Sequence, residues 1–147
     1  MLVLDANILI RAILGRRVRQ LLDSYAGRGL SFCAPDSAYA EAEKYLPALL
    51  KKRGKSDADL AATLEDLRLL VKPINRDAYE HLEAEARKRL RGRDEDDWPV
   101  LATALSFSCA IWTEDADFFG AGVAQWTSDR VEIFLRNQAD IVEQDGG

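Results

Sequence analysis

Four acidic residues stand where a folded chain must account for an acid. Asp5 ends the apolar run Met1–Leu4, and Asp115 follows the apolar run Cys109–Thr113. Glu41 borders a helical apolar face formed with Ala38 and Tyr45. At about 100° per residue, Glu43 points nearly opposite Glu41 and faces solvent. Asp97 heads a helical line continued by Leu101, Ala104 and Leu105, so it points inward or into a cleft. Each acid also has a plainer reading. Asp5 can cap the helix that starts at Ala6, Asp115 can start a turn, and Asp94, Glu95 and Asp96 suit the first turn of a helix. As a set they say more. Converging carboxylates repel one another and raise their own pKa values unless a cation neutralises them. An all-oxygen ligand set with open water positions suits Mg²⁺ or Mn²⁺.

The elements that would carry these acids follow from periodicity. Met1–Leu4, Leu30–Ala34, Val71–Ile74, Cys109–Thr113 and Val123–Trp126 read as short strands. Between them lie helical patterns over Ala6–Leu14, from Val18 to about Ala26, from Asp36 or Ser37 past Leu49, and from Ser56 or Asp57 to Leu70. Further patterns run from Asn75 or Asp77 to about Leu90, from Asp96 to Phe107, and over Ser128–Leu135. Gly27-Arg28-Gly29 and Arg91-Gly92-Arg93 are breaks, and Pro99 falls in a first turn, where proline is tolerated. Alternating strands and helices predict a three-layer α/β sandwich with a parallel sheet of about four to five strands. In such sheets the functional crevice lies at the carboxyl ends of the strands, where Asp5 and Asp115 fall. Residues 1–136 are expected to form one domain and 137–147 a frayed tail.

The order of four segments carries a resemblance. Leu4-Asp5-Ala6-Asn7, the helical Glu41 within Ala40-Glu41-Ala42-Glu43-Lys44-Tyr45, Asp97-Trp98-Pro99-Val100-Leu101-Ala102-Thr103-Ala104-Leu105, and Trp112-Thr113-Glu114-Asp115-Ala116-Asp117-Phe118 resemble the motifs of the PIN-domain ribonuclease family, the fold of VapC-type toxins. The Trp98-Pro99 pair is similar to a variant subgroup. Asp96 directly precedes Asp97, and the helical-face argument selects Asp97 as the third acid. The resemblance implies metal-dependent hydrolysis of RNA. Asp5, Glu41, Asp97 and Asp115 would be catalytic and hold one or two Mg²⁺ or Mn²⁺ ions. Asn7, Thr113 and Asp117 would support them. The resemblance further implies a homodimer and, for toxins, an antitoxin that covers the cleft. A PIN-like module that binds RNA or protein without cutting is the alternative. A receiver-like domain would need a lysine after a late strand, where Glu114 stands instead.

Charge first speaks against RNA, because the chain has 20 basic and 25 acidic residues and a net charge of −5. The distribution reverses that reading. Residues 1–93 hold 18 basic and 13 acidic residues, whereas 94–147 hold 2 and 12. Of the basic groups, Arg87, Lys88, Arg89, Arg91 and Arg93 adjoin Asp97 and are the expected phosphate grip. Trp98 is the expected base-stacking residue, and Trp112 and Trp126 are expected in the core. His81, the only histidine, reads as a surface residue. Cys33 and Cys109 suit free thiols in apolar surroundings rather than a disulfide or zinc site. The first residues carry no signal-peptide pattern and no run suits a membrane span, so a cytoplasmic protein is expected.

Overall fold

The three central strands are buried on both faces. In β1 (Leu2–Leu4), Leu2 and Leu4 enter one apolar cluster and Val3 enters another on the opposite side. The same alternation holds for Phe32, Cys33 and Ala34 in β2 (Phe32–Pro35) and for Ala110, Ile111 and Trp112 in β4 (Ala110–Trp112). Two-sided burial is why these strands read as unbroken apolar runs rather than alternating ones. β3 (Val71–Ile74) and β5 (Gln125–Trp126) complete a five-stranded, all-parallel sheet in the order β3-β2-β1-β4-β5.

The computed structural model describes residues 1–146. Seven α-helices flank the sheet among these residues: α1 (Ala6–Leu14), α2 (Arg17–Ala26), α3 (Asp36–Lys52), α4 (Leu60–Leu70), α5 (Glu83–Arg89), α6 (Trp98–Phe107) and α7 (Val131–Gly146). Residues of α1, α2, α3, α4 and α7 form the cluster on one face of the sheet. Residues of α5 and α6 form the cluster on the other. The three-layer α/β architecture is therefore the one the sequence pattern implies. None of these helices is long and apolar enough to cross a membrane. Cys33 is buried and Cys109 half-buried, and both are free thiols.

Three expectations need correction. The stretch from Asn75 to Leu90 is not one helix: single 3₁₀ turns at Arg76–Ala78 and Glu80–Leu82 precede α5. The Asp36 carboxylate holds the first of these turns, accepting from the backbone N–H of Arg76 and the Tyr79 hydroxyl. The last helix begins at Val131 rather than Ser128. The segment described as a frayed tail continues that helix to Gly146, with Gly147 outside the described residues. Ala139 is fully buried, and Arg28 reaches Asp140 at 3.2 Å and Glu143 at 2.8 Å. Those contacts join residues more than a hundred positions apart, so no local pattern announces them.

Candidate active site

The sheet order reverses direction at β1, with β2 and β3 to one side and β4 and β5 to the other. The crevice above such a switch point lies between the carboxyl ends of β1 and β4. Asp5 follows β1 there, and Thr113 and Asp115 follow β4. One cleft of about 130 Å³ is lined by Asp5, Glu41, Asp97 and Asp115, together with Asn7 and Asp96. The four acids singled out by position in the sequence thus converge in one place.

Three helices begin at this cleft. Ala6 and Asn7 of α1, Ser37 and Ala38 of α3, and Pro99 and Val100 of α6 all line it. A helix N-terminus carries partial positive charge and free N–H groups, which offset some of the repulsion among the acids. Asp5 uses one such group directly: its Oδ1 accepts from the backbone N–H of Ile8 at 3.0 Å. Its Oδ2 accepts a short hydrogen bond from the Thr113 hydroxyl. Thr113 Oγ1 accepts in turn from the Asp115 N–H at 2.9 Å, and Asp115 Oδ1 accepts from the Asp117 N–H at 2.9 Å. A fully buried threonine therefore fixes Asp5 and the start of the Asp115 loop together.

Asp97 is held differently. Its Oδ2 is buried and has no hydrogen-bond partner among the described residues. Burial, then the neighbouring carboxylates of Asp115, Asp94 and Asp5, push its carboxyl up to about 8. Burial also raises Asp5, against the lowering effect of its bonds from Thr113 and Ile8, while Asp115 and Glu41 raise it further. A buried oxygen without a donor, among repelling acids, fits a cation as its missing partner.

Asp94 is the acid that sequence reasoning missed. Oxygens of Asp94, Asp97 and Asp117 lie within 4.8 Å of one another. Asp97 thus belongs to two groups, one with Asp5, Glu41 and Asp115 in the cleft and one with Asp94 and Asp117 beside it. The signal was present in the spacing, since residues three apart share a helical face. First-turn charge alone also accounts for Asp94 in the sequence. The Asp94 carboxylate also caps the 3₁₀ turn Glu95–Asp97 by accepting from the Asp96 N–H at 3.0 Å.

Other expected site residues are placed elsewhere. Trp98 does not present its ring for stacking. It is 5% exposed, packs on Tyr79 with ring centroids 5.6 Å apart, and is covered by the guanidinium groups of Arg76 and Arg87. The basic run over the last turn of α5 and the residues after it is largely committed to the fold. Arg87 pairs with Glu83 at 2.8 Å. Arg89 donates to the Ala121 carbonyl at 3.0 Å and pairs with Glu85. Arg93 donates to the carbonyls of Asp117 and Phe119. A side chain at Gly122 would meet Arg89 Nη1 at 2.5 Å, so this loop and its arginine are fitted to one another. Lys88 and Arg91 remain exposed. Asn7 lines the cleft with an exposed side chain, and Thr113 does the holding. His81 is exposed and lines no part of the cleft, as expected of a surface residue.

No curated protein and no solved structure gives a significant match to the chain. The PIN domain family model matches residues 3–136, from β1 into α7. That span contains all but the first residue of β1, the other four strands, and every acid of the cleft. With its parallel sheet, its acids at the switch point and a match over most of its length, the chain belongs to the PIN domain family, whose fold is a nuclease fold.

Proposed function

We propose that this protein is a divalent-metal-dependent endoribonuclease. The observation that carries the reading is Asp97, whose buried Oδ2 lacks a partner while its carboxyl sits against Asp5 and Asp115. Asp5, Asp97 and Asp115, with Glu41 across the cleft, would hold Mg²⁺ or Mn²⁺, and Asp94 and Asp117 extend the acidic surface on the outer side of Asp97. When bound, such an ion lowers the pKa of its water and polarises a phosphoryl oxygen.

The chain's own contribution is positional. Thr113 holds Asp5 and the Asp115 loop in fixed register, so those two carboxylates need no rearrangement to bind. Glu41 lines the cleft from α3 and would orient an attacking water and take its proton. The water oxygen bonds to phosphorus, the bond from phosphorus to the leaving ribose oxygen breaks, and that oxygen takes a proton from solvent. The wider reading is a cytoplasmic toxin acting as a homodimer and restrained by an antitoxin. It rests on family resemblance and is tested by co-expression with any adjoining small open reading frame.

Cleavage of labelled RNA tests the proposal. Wild-type protein should cut with Mn²⁺ or Mg²⁺ and stop when a chelator is added. Equal cutting by Asp97→Asn would remove the metal reading.

A further inference from the structure

A second groove opens beside the acidic cleft and carries the opposite charge. It measures about 490 Å³ and runs between α1, the turn into α2 and the end of α3. Its floor is apolar, with Ile10, Leu14, Val18 and Leu49, and its rim carries Arg11, Arg16, Arg17 and Arg53. Asn7 lines both the groove and the cleft, and Glu114 at its inner end precedes Asp115. The two depressions therefore adjoin at Asn7, one acidic and the other rimmed by arginines.

The arginines differ in how firmly they are held. Arg11 reaches Glu114 at 3.4 Å and Arg17 reaches Glu132 at 3.8 Å, both long contacts between partly exposed groups. Arg16 and Arg53 are exposed and pair with no carboxylate among the described residues. This contrasts with Arg87, Arg89 and Arg93, which are spent on their own helix and on the loop before β5.

Helix α3 links the two ends. Glu41, Tyr45 and Leu49 succeed one another at intervals of four along α3, and Arg53 caps its end, so the four follow one slanting ridge about 18 Å long. Glu41 is in the cleft and Arg53 in the groove. Tyr45 between them is 47% exposed, with Lys44 Nζ 5.3 Å from its ring centroid. An exposed aromatic between a basic rim and a reaction site suits a base that stacks while its phosphates reach the arginines.

We propose that single-stranded RNA enters along this groove, with its phosphates on Arg16 and Arg53, a base on Tyr45, and the bond to be cut at the acidic cleft. The proposal rests on the nuclease reading and names the path by which that site is fed. The rim favours a polyanion over an apolar protein segment, because two free arginines and two weakly held ones face one channel.

Binding of a fluorescein-labelled RNA of about 12 nucleotides, measured in chelator across a salt series, tests the path. Arg16→Glu/Arg53→Glu should weaken binding at least about tenfold and flatten the salt slope by about 1.4, the value for two lost phosphate contacts on a single strand. Tyr45→Ala should weaken binding about tenfold. Lys88→Glu/Arg91→Glu, which reverses two charges outside this groove, should weaken binding less than Arg16→Glu/Arg53→Glu. A Mn²⁺-induced rise in melting temperature retained by the double variant shows that its fold and acidic cleft are intact. Undiminished RNA binding by Arg16→Glu/Arg53→Glu, as for a groove built to take a protein, would overturn the path while leaving the nuclease reading standing. Wild-type protein that neither binds nor cuts RNA would overturn both.

Discussion

The two ends of the sheet hold cavities of very different kinds. At the amino ends of β1 and β4, a cavity of about 600 Å³ is lined by residues such as Met1, Leu105, Phe107, Cys109 and Phe134, without one charged side chain. At the carboxyl ends, the acidic cleft of about 130 Å³ is lined by Asp5, Glu41, Asp96, Asp97 and Asp115. The smaller space is the one to which we assign the chemistry. In a parallel sheet, helices that follow strands start at the carboxyl end, so that end gathers helix N-termini and can tolerate anions. α1 and α3 show this directly, each beginning at the residue after its strand or one beyond. The assigned site is marked by carboxylates crowded around Asp97 rather than by volume.

The sharpest way to break the contrast is at its acidic end. Asp97→Asn should lower RNA cleavage on the order of 10³-fold or more in a single-turnover assay, since it removes charge at the reacting centre. Asp5→Asn should act similarly, with circular dichroism showing an intact fold. Thr113→Val should have a smaller effect. It leaves all acids in place and removes only the hydroxyl that orders Asp5, for an expected 10- to 100-fold loss of activity or metal affinity, by about the usual scale for such supporting groups.

Stability should distinguish the two ends in the opposite sense. Without metal, the native state keeps a proton on Asp97 up to about pH 8, whereas the unfolded chain releases it near the ordinary value of 3.8. Between those limits the native state binds more protons, so stability falls as pH rises. Melting in chelator should therefore show a declining midpoint from pH 5 to pH 8. Asp97→Asn should reduce that decline and raise the midpoint at pH 8 by roughly 2–4 °C, the trade of function for stability seen at strained sites. At the amino end, Phe107→Ser should shift stability by no more than about 0.5 kcal/mol and leave cleavage at the wild-type rate. A large loss of cleavage there would show that the apolar cavity contributes to function.

Legibility in the sequence followed the range of the forces involved. Strand ends and helical faces are local, and they placed Asp5, Glu41, Asp97 and Asp115 in one cleft from spacing alone. Thr113 was legible only through the motif resemblance, since no property of its position alone singled it out. Trp98 was not, because its burial depends on Tyr79 and Arg76, which arrive from the 3₁₀ turns after β3. Arg89 and Arg93 looked free for the same reason: their partners lie in the loop after β4, more than twenty residues away. The polar end of α7 gave a weak helical signal and gains its anchorage from Arg28. Tertiary contacts thus redirected the basic residues more than the acidic ones, which the sheet edge had already fixed.

Thermal unfolding across a Mn²⁺ titration, with wild-type protein beside Asp97→Asn, tests the central role of Asp97 most directly. At about a hundred times the dissociation constant, binding to the native state is worth about 2.7 kcal/mol. Wild type should therefore gain roughly 5–10 °C, and Asp97→Asn little or nothing. Equal gains in the two proteins, or none in wild type, would contradict a metal centre built on Asp97.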